Sequence, residues 1–353
     1  MEGSAVENGP VENGRLSPYS TPSATRTVLE RHGLYTKYAL GQNFLVNDDV
    51  IRKILELADV RPADHVLEVG PGIGTLTAAL LQRAAHVTAI EKDTDLPAVL
   101  ADTLAPWADR FTLISADALD IAAVESGFTA FAAGPAAAAG VADAGPAAAG
   151  AFAGAGIATT AAPVGAAAGT FKRAFPNKLV ANLPYAVAAT VVLDYLQRFN
   201  SLESATVMVQ KEVADRMTAR PGTKTYGAYT VKLSLYAQPA GRFSVAPGNF
   251  FPPPHVESAV LRLNRAVACD AQGHPLSDEL LAATCAMADA AFATRRKTLA
   301  NSCKTYFASR PEIQAALPQI FESAGIDPRR RGETLTQAEF IKLGQALHAL
   351  RGA

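Results

Sequence analysis

Three glycines in five residues, in Glu68-Val69-Gly70-Pro71-Gly72-Ile73-Gly74, follow directly on a short apolar run. A glycine-rich turn between a strand and a helix lets main chain approach a ligand closely and turns helix N–H groups toward it. The spacing is G-x-G-x-G, which differs from the G-x-G-x-x-G of dinucleotide binders. Glu91 closes the next apolar run, where a carboxylate can accept hydrogen bonds from ribose hydroxyls. Asp117 stands after the third run, in Ser115-Ala116-Asp117-Ala118, where a carboxylate can take the amino group of an adenine. The turn alone is weak evidence. With two carboxylates in register, the set reads as a site for an adenosine-bearing cofactor, and it leaves nicotinamide and S-adenosylmethionine both open.

Further along, Asn182-Leu183-Pro184-Tyr185 ends a fourth apolar run. An exocyclic amino nitrogen such as adenine N6 is a poor nucleophile, because its lone pair is delocalised into the ring. Two acceptors placed around it draw its protons out of plane and free that lone pair. The Asn182 side-chain oxygen and the Leu183 carbonyl can serve, since Pro184 restricts the residue before it and stiffens the turn. Tyr185 offers a ring on which a base can stack, worth about 1–3 kcal/mol. A sulfonium donor needs no obligatory general base, so positioning carries most of the work.

The elements that must hold these residues alternate strand and helix, the pattern of a mostly parallel sheet. Strands are expected at 65–69, 86–90, 111–115, 178–181 and 205–209, and helices at 75–83, 95–104 and 187–197. Segments 242–245 and 258–263 can complete the sheet. From about 277 onward apolar residues fall at helical spacing only, as in Leu280, Leu281, Thr284 and Met287 and again in Phe340, Leu343, Leu347 and Leu350. A small helical domain should follow the sheet.

Of the 353 residues, 32 are Lys or Arg and 33 Asp or Glu, a net charge of −1. Large apolar side chains nowhere run unbroken long enough for a membrane span. The opening residues lack the basic start and apolar stretch of a secretory signal. Cys269, Cys285 and Cys303 are spaced for neither a disulfide framework nor a metal site, and a cytoplasmic setting follows. Residues 1–30 carry four Glu against two Arg with a Val-Glu-Asn-Gly repeat, and read as a disordered tail. Residues 127–170 hold 21 Ala, 9 Gly and 3 Pro among 44, with Asp143 as the one charge, and read as a flexible insert. Lengthening a connection this far costs about 2 kcal/mol. Residues 280–353 carry ten basic side chains against six acidic ones, a hint of a polyanionic partner.

Taken together, these segments resemble the ribosomal RNA adenine N6-dimethyltransferase family, and most closely its bacterial small-subunit branch. The likeness rests on Lys37-Tyr38-Ala39-Leu40-Gly41-Gln42-Asn43-Phe44-Leu45, the Glu68–Gly74 turn, Asp117-Ala118-Leu119, and Asn182-Leu183-Pro184-Tyr185. Phe250-Phe251-Pro252-Pro253-Pro254-His255-Val256-Glu257-Ser258, Arg295-Arg296-Lys297-Thr298-Leu299 and Arg331-Gly332-Glu333-Thr334-Leu335 extend it to the C-terminal part.

The resemblance implies a class I S-adenosylmethionine-dependent methyltransferase: a Rossmann-like, seven-stranded, mostly parallel sheet at 31–270 and an all-α RNA-binding domain at 275–353. It implies cofactor contacts at Asn43, Leu45, Gly70, Gly72, Glu91, Asp117 and Asn182. Asn182, Leu183, Pro184, Tyr185 and Phe250 would form the catalytic set, with Phe250 sandwiching a flipped adenine against Tyr185. Arg295, Arg296 and Lys297 would lie along RNA phosphates. The implied reaction dimethylates two adjacent adenosines in the 3′-terminal hairpin loop of 16S rRNA. The partner would be the small ribosomal subunit or its precursor, met by a monomer. The insert and the N-terminal tail depart from the family pattern. Rival readings are a large-subunit resistance methyltransferase, a protein glutamine methyltransferase (which would carry Asn-Pro-Pro-Tyr), an assembly factor without catalysis, and a nicotinamide dehydrogenase.

Overall fold

The computed structural model describes residues 14–35, 42–133 and 175–351. Contacts group the chain into two units. One takes residues up to 192 together with 199–210 and 241–262; the other takes 193–198, 211–240 and everything from 263. The second unit therefore draws in 193–198, 211–240 and 263–270, which the sequence reading placed in the sheet domain.

In chain order the elements up to the middle of the sheet are α1 (Pro22–Arg31), β1 (Phe44–Leu45), α2 (Asp48–Ala58), β2 (His65–Val69), α3 (Thr75–Leu81), β3 (His86–Glu91), α4 (Leu96–Thr103), β4 (Phe111–Ser115), α5 (Ile121–Ala133), β5 (Lys178–Asn182), α6 (Ala188–Arg198) and β6 (Ser204–Gln210). There follow α7 (Lys211–Met217), α8 (Ala228–Ser234), β7 (Ala237–Val245), β8 (Phe250–Phe251), β9 (Ser258–Arg265), α9 (Asp278–Phe292), α10 (Leu299–Tyr306), α11 (Pro311–Ala324) and α12 (Gln337–Arg351).

Seven strands form one sheet in the order β4-β3-β2-β5-β6-β9-β7. The pairs β2–β3, β3–β4, β2–β5 and β5–β6 are parallel. The chain runs outward from β2 through β3 to β4, then returns to lay β5 on the other side of β2. Strand order reverses between β2 and β5, and ligands of open α/β sheets bind outside the carboxyl ends of the strands at such a point. β2 is buried along its whole length, which is why an apolar run rather than an alternating pattern marks it. At the far edge β7 starts earlier than expected, at Ala237, because an edge strand tolerates Pro239 and Gly241.

Two expectations need correction. The insert does not begin at residue 127, since α5 continues through Ala133. Phe128, 2% exposed, anchors that turn and meets Phe199 edge-on at 5.4 Å and Phe175 at 6.0 Å. Gly127 is a close approach rather than a breaker: a Cβ there would lie 2.8 Å from Ile114. The rest of the insert falls outside the described residues. Likewise residues 14–30 are ordered, against the expectation of a disordered tail to residue 30. Thr21 caps α1 by accepting from the Ala24 N–H, with Pro22 in the first turn. The Leu16 and Ser17 N–H groups donate to Asp48 Oδ1, and Val28 and Leu29 pack with Phe44, Ile73, Leu96 and Val99.

In the second unit the helices pack around Leu299, Cys303, Phe307, Phe340 and Leu343. Ser277 caps α9 by accepting from Leu280 N–H. α11 opens on Pro311 and stops at Gly325, whose φ of +68° suits a residue without Cβ. α12 lies so close to α9 that a Cβ on Gly344 would strike Thr284.

Candidate active site

Strand ends of the first unit bring the sequence-predicted residues to one edge. The β2–α3 turn holds Gly70, Gly72 and Gly74 at φ of +71°, +59° and +85°, a region that costs other residues about 1–2 kcal/mol. A Cβ on Gly70 would sit 3.5 Å from the Pro184 ring, and one on Gly72 would sit 2.9 Å from Phe44. The glycine turn, the Asn182–Tyr185 loop and the 42–45 segment are therefore neighbours, although the loop lies more than a hundred residues along the sequence from the other two. Glu68, 1% exposed, lies beneath the turn, and burial pushes its carboxyl up to about 8. A neutral acid at this point spares the turn a second negative charge beside Glu91.

Glu91 ends β3. One carboxylate oxygen accepts from the N–H groups of Lys92 (2.9 Å) and Asp93 (2.8 Å), and the Gly72 N–H also donates to this carboxylate. Burial raises its pKa even so, and the backbone donors oppose that rise. Asp117 accepts from Leu119 N–H at 3.0 Å and from Lys92 Nζ at 2.6 Å, and the Lys92 ammonium holds its carboxyl below the usual range. Both carboxylates have more lone pairs than these donors use, so each retains acceptor capacity for a ribose or an amino group. Lys92, which sequence reasoning did not single out, pairs with Asp117 and lowers its pKa further.

The 42–45 segment closes over this edge from the other side. β1 pairs antiparallel with β8, Phe44 with Phe251 and Leu45 with Phe250. Gln42 Nε2 donates to Asp93 Oδ2 at 2.8 Å, which ties the segment to the end of β3. Asn182 Nδ2 donates to the Asn43 carbonyl at 3.1 Å. That bond fixes the amide plane and assigns Oδ1 as the acceptor facing away from Asn43. Leu183 N–H is tied to the Met208 carbonyl at 3.1 Å, and the Pro184 carbonyl accepts from Val187 and Ala188 N–H, so the loop is braced at both ends. Tyr185 hydroxyl meets Ser258 Oγ at 2.8 Å, and burial raises its pKa. Ser258 is a positioning partner that only its place in the Phe250–Ser258 segment could have suggested. The sequence Lys37–Gly41 is outside the described residues.

Leu45 is buried in the core, so a cofactor contact there would be made through its main chain. One predicted contact comes out differently. Phe250 was expected to present a ring to an adenine, but it is 3% exposed and packs with Leu45, Val245 and Val260. Strand pairing with β1 turns it inward. Its neighbour Phe251 faces outward instead, with the Arg26 guanidinium 5.4 Å above its ring.

In the second unit, Arg295, Arg296 and Lys297 follow α9. Arg295 donates to the main-chain carbonyls of Lys224 and Tyr226, and its Nε lies 3.7 Å from Glu333. Arg296 and Lys297 are exposed and form no ion pair among the described residues.

The glycine cradle, the acceptors at the ends of β3 and β4, and the fixed Asn182 amide fit an adenosine-bearing methyl donor. Comparison with known proteins agrees. The family model for ribosomal RNA adenine dimethylase matches residues 34–343. The ribosomal RNA small subunit methyltransferase A of Enterococcus faecalis is 35% identical over 328 residues, covering 93% of this chain and 96% of that protein. The protein of the same name from Geobacillus kaustophilus is 36% identical over 338 residues, covering 94% and 98%. Among solved structures, a dimethyladenosine transferase from Plasmodium falciparum matches with a TM-score of 0.59 at 20% identity, covering 85% of this chain and 95% of that one.

Proposed function

Since the chain belongs to the ribosomal RNA adenine dimethylase family, we propose that it dimethylates N6 of two adjacent adenosines in the 3′-terminal hairpin loop of 16S rRNA. The donor is S-adenosylmethionine, which supplies an electrophilic methyl group when bound. The names of the relatives point to the small subunit. The substrate is the subunit or its precursor, and the protein works as a monomer in the cytoplasm. No helix among the described residues is long and apolar enough to cross a membrane.

The chain's own part in the reaction is placement. Glu91 accepts from the ribose and Asp117 from the adenine amino group of the donor, while Gly70 and Gly72 let main chain lie against it. Asn182 Oδ1 and the Leu183 carbonyl accept the two N6 protons of the target base, which restores the nitrogen lone pair. Tyr185, held by Ser258, gives the everted base a surface to stack on. The methylated amine then releases its proton to solvent without a dedicated base.

One observation carries this reading: the bond from Asn182 Nδ2 to the Asn43 carbonyl, which leaves Oδ1 as the acceptor at the β5 end. The test is incubation with labelled S-adenosylmethionine and, separately, unmethylated small subunits, large subunits and free RNA, followed by mapping of the modified bases. Label in adjacent adenosines of the small-subunit hairpin is expected. Label in large-subunit RNA alone, or none in any, would overturn the reading.

A further inference from the structure

Helix α1 belongs to the N-terminal stretch that departs from the family pattern, yet it is firmly seated. Val28 and Leu29 pack with Phe44, Ile73, Leu96 and Val99. The Tyr19 hydroxyl donates to the Thr103 carbonyl at 2.8 Å, and Asp102 holds both Arg31 (3.2 Å) and His32 (3.1 Å). The two arginines of this helix are used differently. Arg31 is neutralised by Asp102. Arg26 is exposed and forms no ion pair among the described residues, although Glu30 stands one turn further along the same helix. Its guanidinium lies instead over the Phe251 ring, 5.4 Å from the centroid.

This pair sits beside the methyl-transfer edge. Phe251 is partly exposed and lies opposite Phe44 in the β1–β8 clasp. Phe44 follows Asn43, whose carbonyl accepts from Asn182 Nδ2 at 3.1 Å. Main-chain geometry then puts the Phe251 Cα within about 11 Å of the Asn182 amide. A base everted toward Asn182 leaves its neighbour on the strand within reach of Arg26 and Phe251. Unstacked bases of RNA loops are received on aromatic rings and on guanidinium planes. A guanidinium backed by a ring on a seated helix is such a surface, held in place before the RNA arrives.

We propose that Arg26, backed by Phe251, is the stacking platform for the nucleotide next to the everted adenosine. The pair binds substrate there without touching the reacting atoms. The inference rests on the function proposed above, in which two adjacent adenosines pass through one site. It gives α1 a part in substrate binding and gives Phe251 a role separate from that of the buried Phe250.

The test uses the full-length protein and unmethylated small subunits rebuilt with RNA in which one or the other adenosine is abasic. Wild-type protein should lose about 10-fold in kcat/KM on the version whose gap falls at the platform, the worth of one stacked base. Arg26→Ala should lose about as much on intact subunits and little more on that abasic version, because both changes remove the same contact. Arg26→Lys keeps the charge without the planar group and should behave as Arg26→Ala. The unfolding midpoint of both variants should match the wild type. The platform is refuted if Arg26→Ala equals the wild type on intact subunits, or if the wild type is indifferent to both gaps. It is refuted too if the two losses multiply, or if Arg26→Lys restores full activity, which marks a phosphate contact alone. A wild-type protein that leaves intact small subunits unmodified would overturn the proposed function and the platform together. Wild-type methylation with an unaltered Arg26→Ala overturns the platform alone.

Discussion

The two ends of the same sheet treat their polar groups in opposite ways. At the amino end, Asp64 and Lys178 form an ion pair at 2.9 Å with side chains 8% and 6% exposed. Asp64 also accepts from Asn177 Nδ2 (2.9 Å) and Arg61 N–H (2.7 Å), Asn177 Oδ1 accepts from His65 N–H (3.0 Å), and Lys178 reaches the Asp59 carbonyl. These buried groups find their partners within the fold. At the carboxyl end Asn182, Glu91 and Asp117 are each held by some bonds and keep an oxygen with lone pairs to spare. A buried polar cluster that is complete serves stability. One that is anchored but incomplete is fitted to receive a ligand.

That contrast can be broken at either end. Lys178→Ala leaves Asp64 buried without its cation and should cost about 3–5 kcal/mol in urea unfolding. Methyl transfer per folded molecule should stay as in the wild type; a loss of less than about 1 kcal/mol would show that the amino end is not the brace described. Asn182→Ala should act in reverse. Methyl transfer falls by about 10²–10³, the cost of removing a charge-stabilising partner from a reacting group, while the unfolding midpoint changes little. Normal turnover in this variant would remove the acceptor role.

A smaller effect sharpens the comparison through pH. Burial holds the Glu68 carboxyl up at about 8 in the folded protein, against 4.5 for its ordinary value. Between those values the folded state keeps a proton that the unfolded chain has released, so this residue makes stability decline as pH rises. Glu68→Gln removes that slope. The variant should gain stability relative to wild type on going from pH 5 to pH 8, read as denaturation midpoints at both values. A constant difference would mean that Glu68 is ionised in the fold.

Much of the site was legible because its parts are local. Glycines after β2, an acid at the end of β3 and Asn-Leu-Pro-Tyr after β5 announce their conformations through their own residue types. What stayed hidden depends on partners distant in sequence. Phe250 looks like an open aromatic until strand pairing with Leu45 turns it inward. Arg295 looks like its two neighbours until the carbonyls of Lys224 and Tyr226, some seventy residues earlier, claim it. The start of the alanine-rich insert was misjudged because Phe128 finds its packing on Phe199 and Phe175. The order of residues 14–30 likewise comes from Asp48 and from Phe44, not from their own composition.

The clasp between β1 and β8 also sets a timetable. Val46 N–H bonds the Asn249 carbonyl at 2.8 Å, and Asn47 Nδ2 bonds Asn249 Oδ1 at 2.8 Å across 202 residues. During synthesis the 42–45 segment has no strand to lie against until residue 251 has left the exit tunnel. A nascent chain can build most of its central strands before then, yet it lacks a finished wall for the donor until Phe250 and Phe251 have emerged to pair with Phe44 and Leu45.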